Sequence, residues 1–478
     1  MEKNKPKTDF TWFEHARIYQ VFTDRFAGTK TDYTLTDLKK GFLYGNLKAL
    51  IKKLDYIQSM NFNCIWITPF FVNQPNGYHG YHAINMNHVD PRFAFGEFPE
   101  DNNIGNAFDE NDLTIITKSD QVLIDLIEEM HRRGMKLIMD MVPNHVHYSH
   151  PYFVDAAKNQ RESKYYNWFY FYEKKEDDKT PEVEKDDAKD NKESQLTNNE
   201  NANNEVPQTQ QNENNNEEEF KLNLPTGIDY VKFLDVKELV KLNLDNIECL
   251  EYIIAVTKKF LSFGVDAIRM DHIVGPSIQA IKYFCNTIHS LYPTVPIIGE
   301  VLPICSSRFS STILSLSREL LVRLDVPEIE PETIPIVDEA FLVYEGVLDG
   351  VLDFSFTFLI ELFLKNKLTE SELLTQIDKH YKRFEGKQFI LPKQLDNHDI
   401  DRILFKCNNN RRLFKKVVEL LMKRYDGRSD PFIWYYGTED FMTQEHSQSF
   451  ENFGDYVLRM PMEFSSQWMK VVFKEKND

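Results

Sequence analysis

Arg269 and Asp271 stand two apart in Gly264-Val265-Asp266-Ala267-Ile268-Arg269-Met270-Asp271-His272, a short apolar run that ends in charge. On a strand they project to one side. Alone, the pair reads more simply as a structural ion pair. Its chemistry is nonetheless specific: a guanidinium beside a carboxylate favours the ionised, aimed form, and an aimed carboxylate can act as a nucleophile. Glu300 follows apolar Pro296-Ile297-Ile298-Gly299, where burial would raise its pKa. Asp396-Asn397-His398-Asp399 ends a third such run, and Asp140-Met141-Val142-Pro143-Asn144-His145 a fourth. Three carboxylates (Asp271, Glu300, Asp399), two histidines (His145, His398) and Arg269 thus gather at strand ends. One ionised and one protonated carboxyl group are the equipment for cleaving a glycosidic bond. Asp271 would attack the anomeric carbon and Glu300 protonate the leaving oxygen. Tyr78 and Tyr81 are candidates for stacking on a sugar ring.

Strands must carry these groups. Arg17 to Phe22, Cys64 to Pro69, Lys136 to Val142, the run ending at Met270, Pro296 to Val301, Val351 to Phe356, Phe389 to Leu395 and Phe432 to Tyr436 read as eight near-continuous apolar strands. Helical spacing lies between most of them: Leu47, Leu50, Ile51, Leu54 and Ile57; a segment capped by Asp120 and running to Gly134; Ile247 to Phe263; Ser277 to Leu291. Strands apolar on both faces belong to a parallel sheet. Eight such units predict an α/β protein with a (β/α)₈ barrel, its chemistry at the C-terminal strand ends. The alternative, a doubly wound open sheet, usually shows a glycine-rich phosphate turn after its first strand, and none is present. The predicted organisation is a first part of the barrel at 1–142, an insertion at 143–242, and the remaining barrel at 243–478. The insertion begins aromatic (Tyr165, Tyr166, Trp168, Phe169, Tyr170, Phe171). Its residues 173–219 carry 16 acidic against 6 basic residues and scarcely an apolar one, which predicts disorder.

The net charge is -19 over 478 residues, and about half of it falls in that segment. An acidic balance argues against a nucleic-acid partner. Five cysteines, odd in number and set in apolar segments, suit free thiols in a reducing compartment. No Cys/His spacing suggests zinc. The N-terminus lacks a signal-like apolar run, and no stretch is long enough to span a membrane. The expected location is cytoplasmic; the oligomeric state is not set.

Asp140 to His145, Gly264 to His272, Gly299-Glu300-Val301 and Asp396 to Asp399 resemble, in order, the four signature regions of the α-amylase family of glycoside hydrolases. Arg17 to Phe26 resembles that family's opening strand, and Asn76-Gly77-Tyr78-His79-Gly80-Tyr81 its loop after strand two. The resemblance implies a retaining enzyme on α-1,4-linked glucans: starch, glycogen-derived maltooligosaccharides or cyclodextrins. Carried over, Asp271 is the nucleophile, Glu300 the acid/base and Asp399 the third carboxylate, which holds sugar hydroxyls. His145 and His398 bind the same sugar, Arg269 orients Asp271, and Tyr81 is the stacking platform. Asn144 resembles a calcium ligand, so one structural calcium is expected where barrel and insertion meet. The insertion resembles domain B. Three departures stand out. No second calcium cluster follows Gly28. Val274-Gly275 replaces the Lys-His of many α-amylases, which brings short oligosaccharides and cyclodextrins level with starch. Only residues 464–476 remain after the barrel, so the usual C-terminal β-sandwich is expected to be absent, in a minimal form or a truncated chain. A transglycosylase on the same site is the enzymatic alternative, and a non-catalytic glucan-binding scaffold the alternative from another class.

Overall fold

The computed structural model describes residues 9–96, 112–174, 222–234, 236–302, 304–305, 323–324, 329–425, 428, 430–444 and 455–464. All but the first two residues of the acidic segment 173–219 lie outside them. Seven parallel strands form one sheet: β1 (Arg17–Val21), β2 (Cys64–Ile67), β3 (Lys136–Met141), β4 (Ala267–Met270), β5 (Ile297–Gly299), β6 (Gly350–Val351) and β7 (Phe432–Tyr435). Their spatial order is β6-β5-β4-β3-β2-β1-β7. The two edges meet through residues 390–393. Ile390 bridges Gly350, and Lys393 bridges both Asp353 and Phe432, all in parallel. Backbone hydrogen bonds run Val351 to Ile390, Asp353 to Pro392, and Ile433 to Lys393. The ring is therefore closed, and the architecture is the expected (β/α)₈ barrel. Four-residue strands such as Cys-Ile-Trp-Ile are buried throughout, as a sheet covered on both faces requires.

The predicted strands come out shorter, two of them sharply. The sixth ends at Val351 because the Asp353 carboxylate accepts from the Phe356 amide and caps a helix, Phe354–Leu364. The seventh makes only single bridges. Pro392 has no N–H to give, and the Leu391 amide donates to the side chain of Asp430 instead.

The helices follow the predicted apolar spacing with moved boundaries. Lys118–Arg132 buries Val122, Leu123, Leu126, Ile127 and Met130. Its cap is Thr117, and Asp120 is the reciprocal partner three residues on, a capping box. The segment predicted from Asn46 divides into Leu47–Ile51 and Leu54–Ser59. Ile247–Ser262 and Ile278–Leu291 stand as expected, capped by Asn246 and Ser277. After β3 the chain leaves the barrel. Val236–Lys241 pairs antiparallel with His145–His147 and Lys232–Phe233. Phe153 packs against Phe169, Phe171 and Tyr230 there. Cys64, Cys249, Cys285 and Cys407 are buried free thiols. Among the described residues no helix is long and apolar enough to cross a membrane.

Candidate active site

Register assembles the site. Arg269 on β4 lies abreast of Asp140 on β3, and Met270 abreast of Gly299 on β5. Asp271 and Glu300 therefore emerge side by side at the strand ends. The Arg269 guanidinium serves three carboxylates: Nη1 donates to Asp140 Oδ1 at 2.7 Å and to Asp271 Oδ1 at 2.8 Å, and Nη2 lies 2.7 Å from Glu300 Oε1. It also lies 5.2 Å from the centre of the Trp66 ring, a cation–π contact. Arg269 is 2 % exposed, Asp271 7 % and Glu300 6 %.

The expectation that Arg269 keeps Asp271 ionised needs correction. One buried cation shared among three acids cannot neutralise them all. Burial lifts both Asp271 and Glu300 well above the ordinary carboxylate range, and Arg269 pulls each only part of the way back. Both carboxyl groups are thereby shifted toward the protonated form. Their surroundings do not by themselves divide the roles of nucleophile and acid.

A second chain of bonds runs outward from Asp140, whose Oδ2 accepts from Trp66 Nε1 at 3.1 Å and from the Tyr81 hydroxyl at 2.9 Å. Tyr81 in turn accepts from His398 Nε2 at 2.7 Å, while Gln20 Nε2 donates to His398 Nδ1 at 3.0 Å. Burial holds His398 well below the usual histidine range, so its ring is neutral. The Tyr81 and His398 rings lie parallel, 5.4 Å apart, and Tyr81 keeps partial exposure. The loop reaches this position through Gly80, at φ +89°; a Cβ there would sit 2.0 Å from the Pro69 carbonyl oxygen. Tyr78, by contrast, is buried beneath the Arg25 guanidinium, 4.2 Å from its ring centre, and is a packing residue.

Asp399 lies at the outer end. Its Oδ2 is 3.1 Å from His398 Nε2, and its Oδ1 accepts from Arg459 Nη2 at 3.0 Å. Arg459 Nε also donates to the His398 carbonyl at 2.9 Å. The sequence gives no functional reason to single out Arg459, since it comes from beyond the last barrel strand. His145 Nε2 donates to the Tyr81 carbonyl at 3.1 Å, and the His145 ring stacks on Phe233 with centres 4.2 Å apart. Phe233 was likewise not foreseen; only an aromatic on an insertion strand could have hinted at it. All the predicted residues are thus joined in one network except Asn144 and Tyr78.

Calcium does not fit at Asn144. Its Oδ1 accepts from Lys241 Nζ at 2.9 Å, and Lys241 is 2 % exposed. An ammonium stands at the oxygen that a calcium ion would need. Among the described residues no group of three or more His, Cys, Asp or Glu side chains is placed to hold a metal.

With this geometry in place, comparison with known proteins decides the lineage. The profile described as "Alpha amylase, catalytic domain" matches residues 20–122 and 108–475. The chain belongs to the α-amylase family. Alpha-amylase 2 of Dictyoglomus thermophilum is 27% identical over 404 residues, covering 84% of this chain and 51% of that protein. An intracellular maltogenic amylase of Bacillus subtilis is 22% identical over 441 residues, covering 90% and 56%. The chain spans about half the length of these curated relatives. Among α-amylase-like structures, a cyclomaltodextrinase superposes with a TM-score of 0.64 at 19% identity, covering 97% of this chain and 62% of that one. A cyclic α-maltosyl-(1→6)-maltose hydrolase from Arthrobacter globiformis, in complex with its cyclic substrate, reaches 0.63 at 17%, covering 98% and 82%. Both share the barrel fold of this family.

Proposed function

We propose that this chain is a retaining α-glucan hydrolase that cleaves α-1,4-glucosidic bonds in short or cyclic maltooligosaccharides. The observation that carries the reading is the Arg269 guanidinium, which brackets Asp271 and Glu300 at 2.8 and 2.7 Å. Bonded to neighbouring nitrogens of one guanidinium, the two carboxylates are near neighbours. That favours the ~5–5.5 Å spacing of retaining sites over the ~6.5–9.5 Å that leaves room for an attacking water. In the first step the ionised Asp271 attacks the anomeric carbon while Glu300 gives its proton to the leaving oxygen. In the second, Glu300 takes a proton from water, which displaces Asp271. Asp399 and His398 hold sugar hydroxyls, and Tyr81 offers its ring face.

The preference for short or cyclic chains is supported by the names of the relatives and by Gly275. A Cβ at Gly275 would lie 2.0 Å from Asn144 Oδ1 and 2.7 Å from Lys241 Nζ. A side chain where many α-amylases carry histidine would have to displace the Asn144–Lys241 bond. A reducing, intracellular setting is supported by the buried free thiols.

Product analysis with maltoheptaose, soluble starch and β-cyclodextrin, comparing wild type with Glu300→Gln, tests the reading. Faster cleavage of the short and cyclic substrates, lost in the variant, is expected. Inverted anomeric configuration in the first product, seen by NMR, would refute retention. Products longer than the substrate at high maltooligosaccharide concentration would assign the site to transglycosylation.

A further inference from the structure

We infer that His272 is a positioning residue, whose left-handed backbone lets the chain turn back to Glu300 at Ile273 while the His272 N–H stays on the Glu300 carboxylate. The inference rests on the reading of Glu300 as proton donor. His272 has φ +41°, a region that L side chains rarely enter. Such a conformation persists where the surroundings over-determine it, and here they do. The Glu300 amide donates to the Met270 carbonyl at 2.9 Å, and the Ile273 amide donates to the Glu300 carbonyl at 3.1 Å. Between these two anchors, the His272 amide donates to Glu300 Oε2 at 3.1 Å. Two successive amides thus meet one residue, the first at its carboxylate and the second at its backbone carbonyl. The Phe233 ring stands edge-on to the buried His272 ring, centres 4.7 Å apart. Arg269 faces the other carboxylate oxygen, Oε1. A carboxyl group held at both oxygens keeps one orientation toward a leaving group. An extended residue at 272 could not join the two anchors without pulling that N–H off the carboxylate.

The test compares His272→Gly, His272→Asn and His272→Val on two substrates. Maltoheptaose needs its leaving oxygen protonated; 2-chloro-4-nitrophenyl α-maltotrioside, with an activated leaving group, needs little help. Glycine and asparagine accept positive φ, so both variants are expected to keep kcat/KM within about threefold. Valine does not accept it. Its variant is expected to lose about tenfold to a hundredfold on maltoheptaose, the scale of a hydrogen bond to a charged group. On the aryl glycoside it should lose less than about threefold. Equal losses on both substrates, or a glycine variant weaker than the valine one, would overturn the inference and leave the functional reading standing. A wild type without turnover on either substrate would overturn both. If the valine variant fails to fold, His272→Ala decides: a loss beyond that of the glycine variant and confined to maltoheptaose supports the role, and a uniform loss or none refutes it.

Discussion

Around Arg269 the charges do not balance: Asp140, Asp271 and Glu300 all lie within 2.8 Å of one guanidinium, in a pocket nearly closed to water. Where Asp271 is ionised, it is so at the expense of folding. Its folded pKa, raised by burial to about 7, exceeds the unfolded value. A group shifted this way adds stability in full below the unfolded value, and that stability is lost as pH rises through the folded one. Asp271→Asn is therefore expected to abolish turnover yet raise the thermal midpoint at pH 8 by about 2 °C or more, with the gain shrinking toward pH 5. Calorimetry at the two pH values checks this; an unchanged midpoint at pH 8 would show that the carboxylate costs the fold nothing. At the outer end of the network, Arg459→Met removes a charged partner from Asp399. It should lower kcat/KM about tenfold or more, measured beside Asp455→Asn, which breaks only the second ion pair of Arg459.

Between elements, buried His380 plays the part that the apolar core plays elsewhere. It sits on the helix Glu370–Lys382 and bonds Asp338 on Ile334–Leu342 at 2.8 Å through Nδ1, and Asp353 at 3.3 Å through Nε2. Burial alone would lower its pKa, but the charges of Asp353 and Asp338 outweigh that and raise it to about 10. The stability so gained is complete below the usual histidine value and is lost as pH rises through 10. His380→Ala takes the paired cation from buried Asp353 and leaves Asp338 only Arg383, at 3.4 Å; it should cost about 3–5 kcal/mol, measurable by urea denaturation. The sequence pointed to the catalytic strands because apolar runs ending in Asp, Glu or His are visible in one dimension. It misplaced what depends on a neighbour. Asp120 looks like a cap until Thr117 is seen to take that place. Phe354-Ser355-Phe356-Thr357-Phe358 alternates like a strand until the Asp353 side chain turns it into a helix. Arg459 and Phe233 sit far along the chain from Asp399, His145 and His272, so only the closed barrel could reveal them.

On the scale of the whole molecule, the joint between barrel and insertion is held by Lys241 where a calcium ion was expected. Chelation with EGTA should leave the thermal midpoint within about 1 °C. Lys241→Met, which takes away the buried bond to Asn144, should cost about 1–3 kcal/mol. A large midpoint drop on chelation would refute the assignment. The barrel's closure has a consequence of its own. Six of its neighbouring walls are zipped by ladders, but the stretch at 390–393 is fastened by single bridges on either side, with a proline in its middle. It is the seam, and seams breathe. Deuterium uptake at 389–395 should outrun that of Lys136–Met141 in exchange mass spectrometry. Asp399 hangs a few residues beyond that seam, so the wall expected to open most readily is the one proposed to hold the sugar.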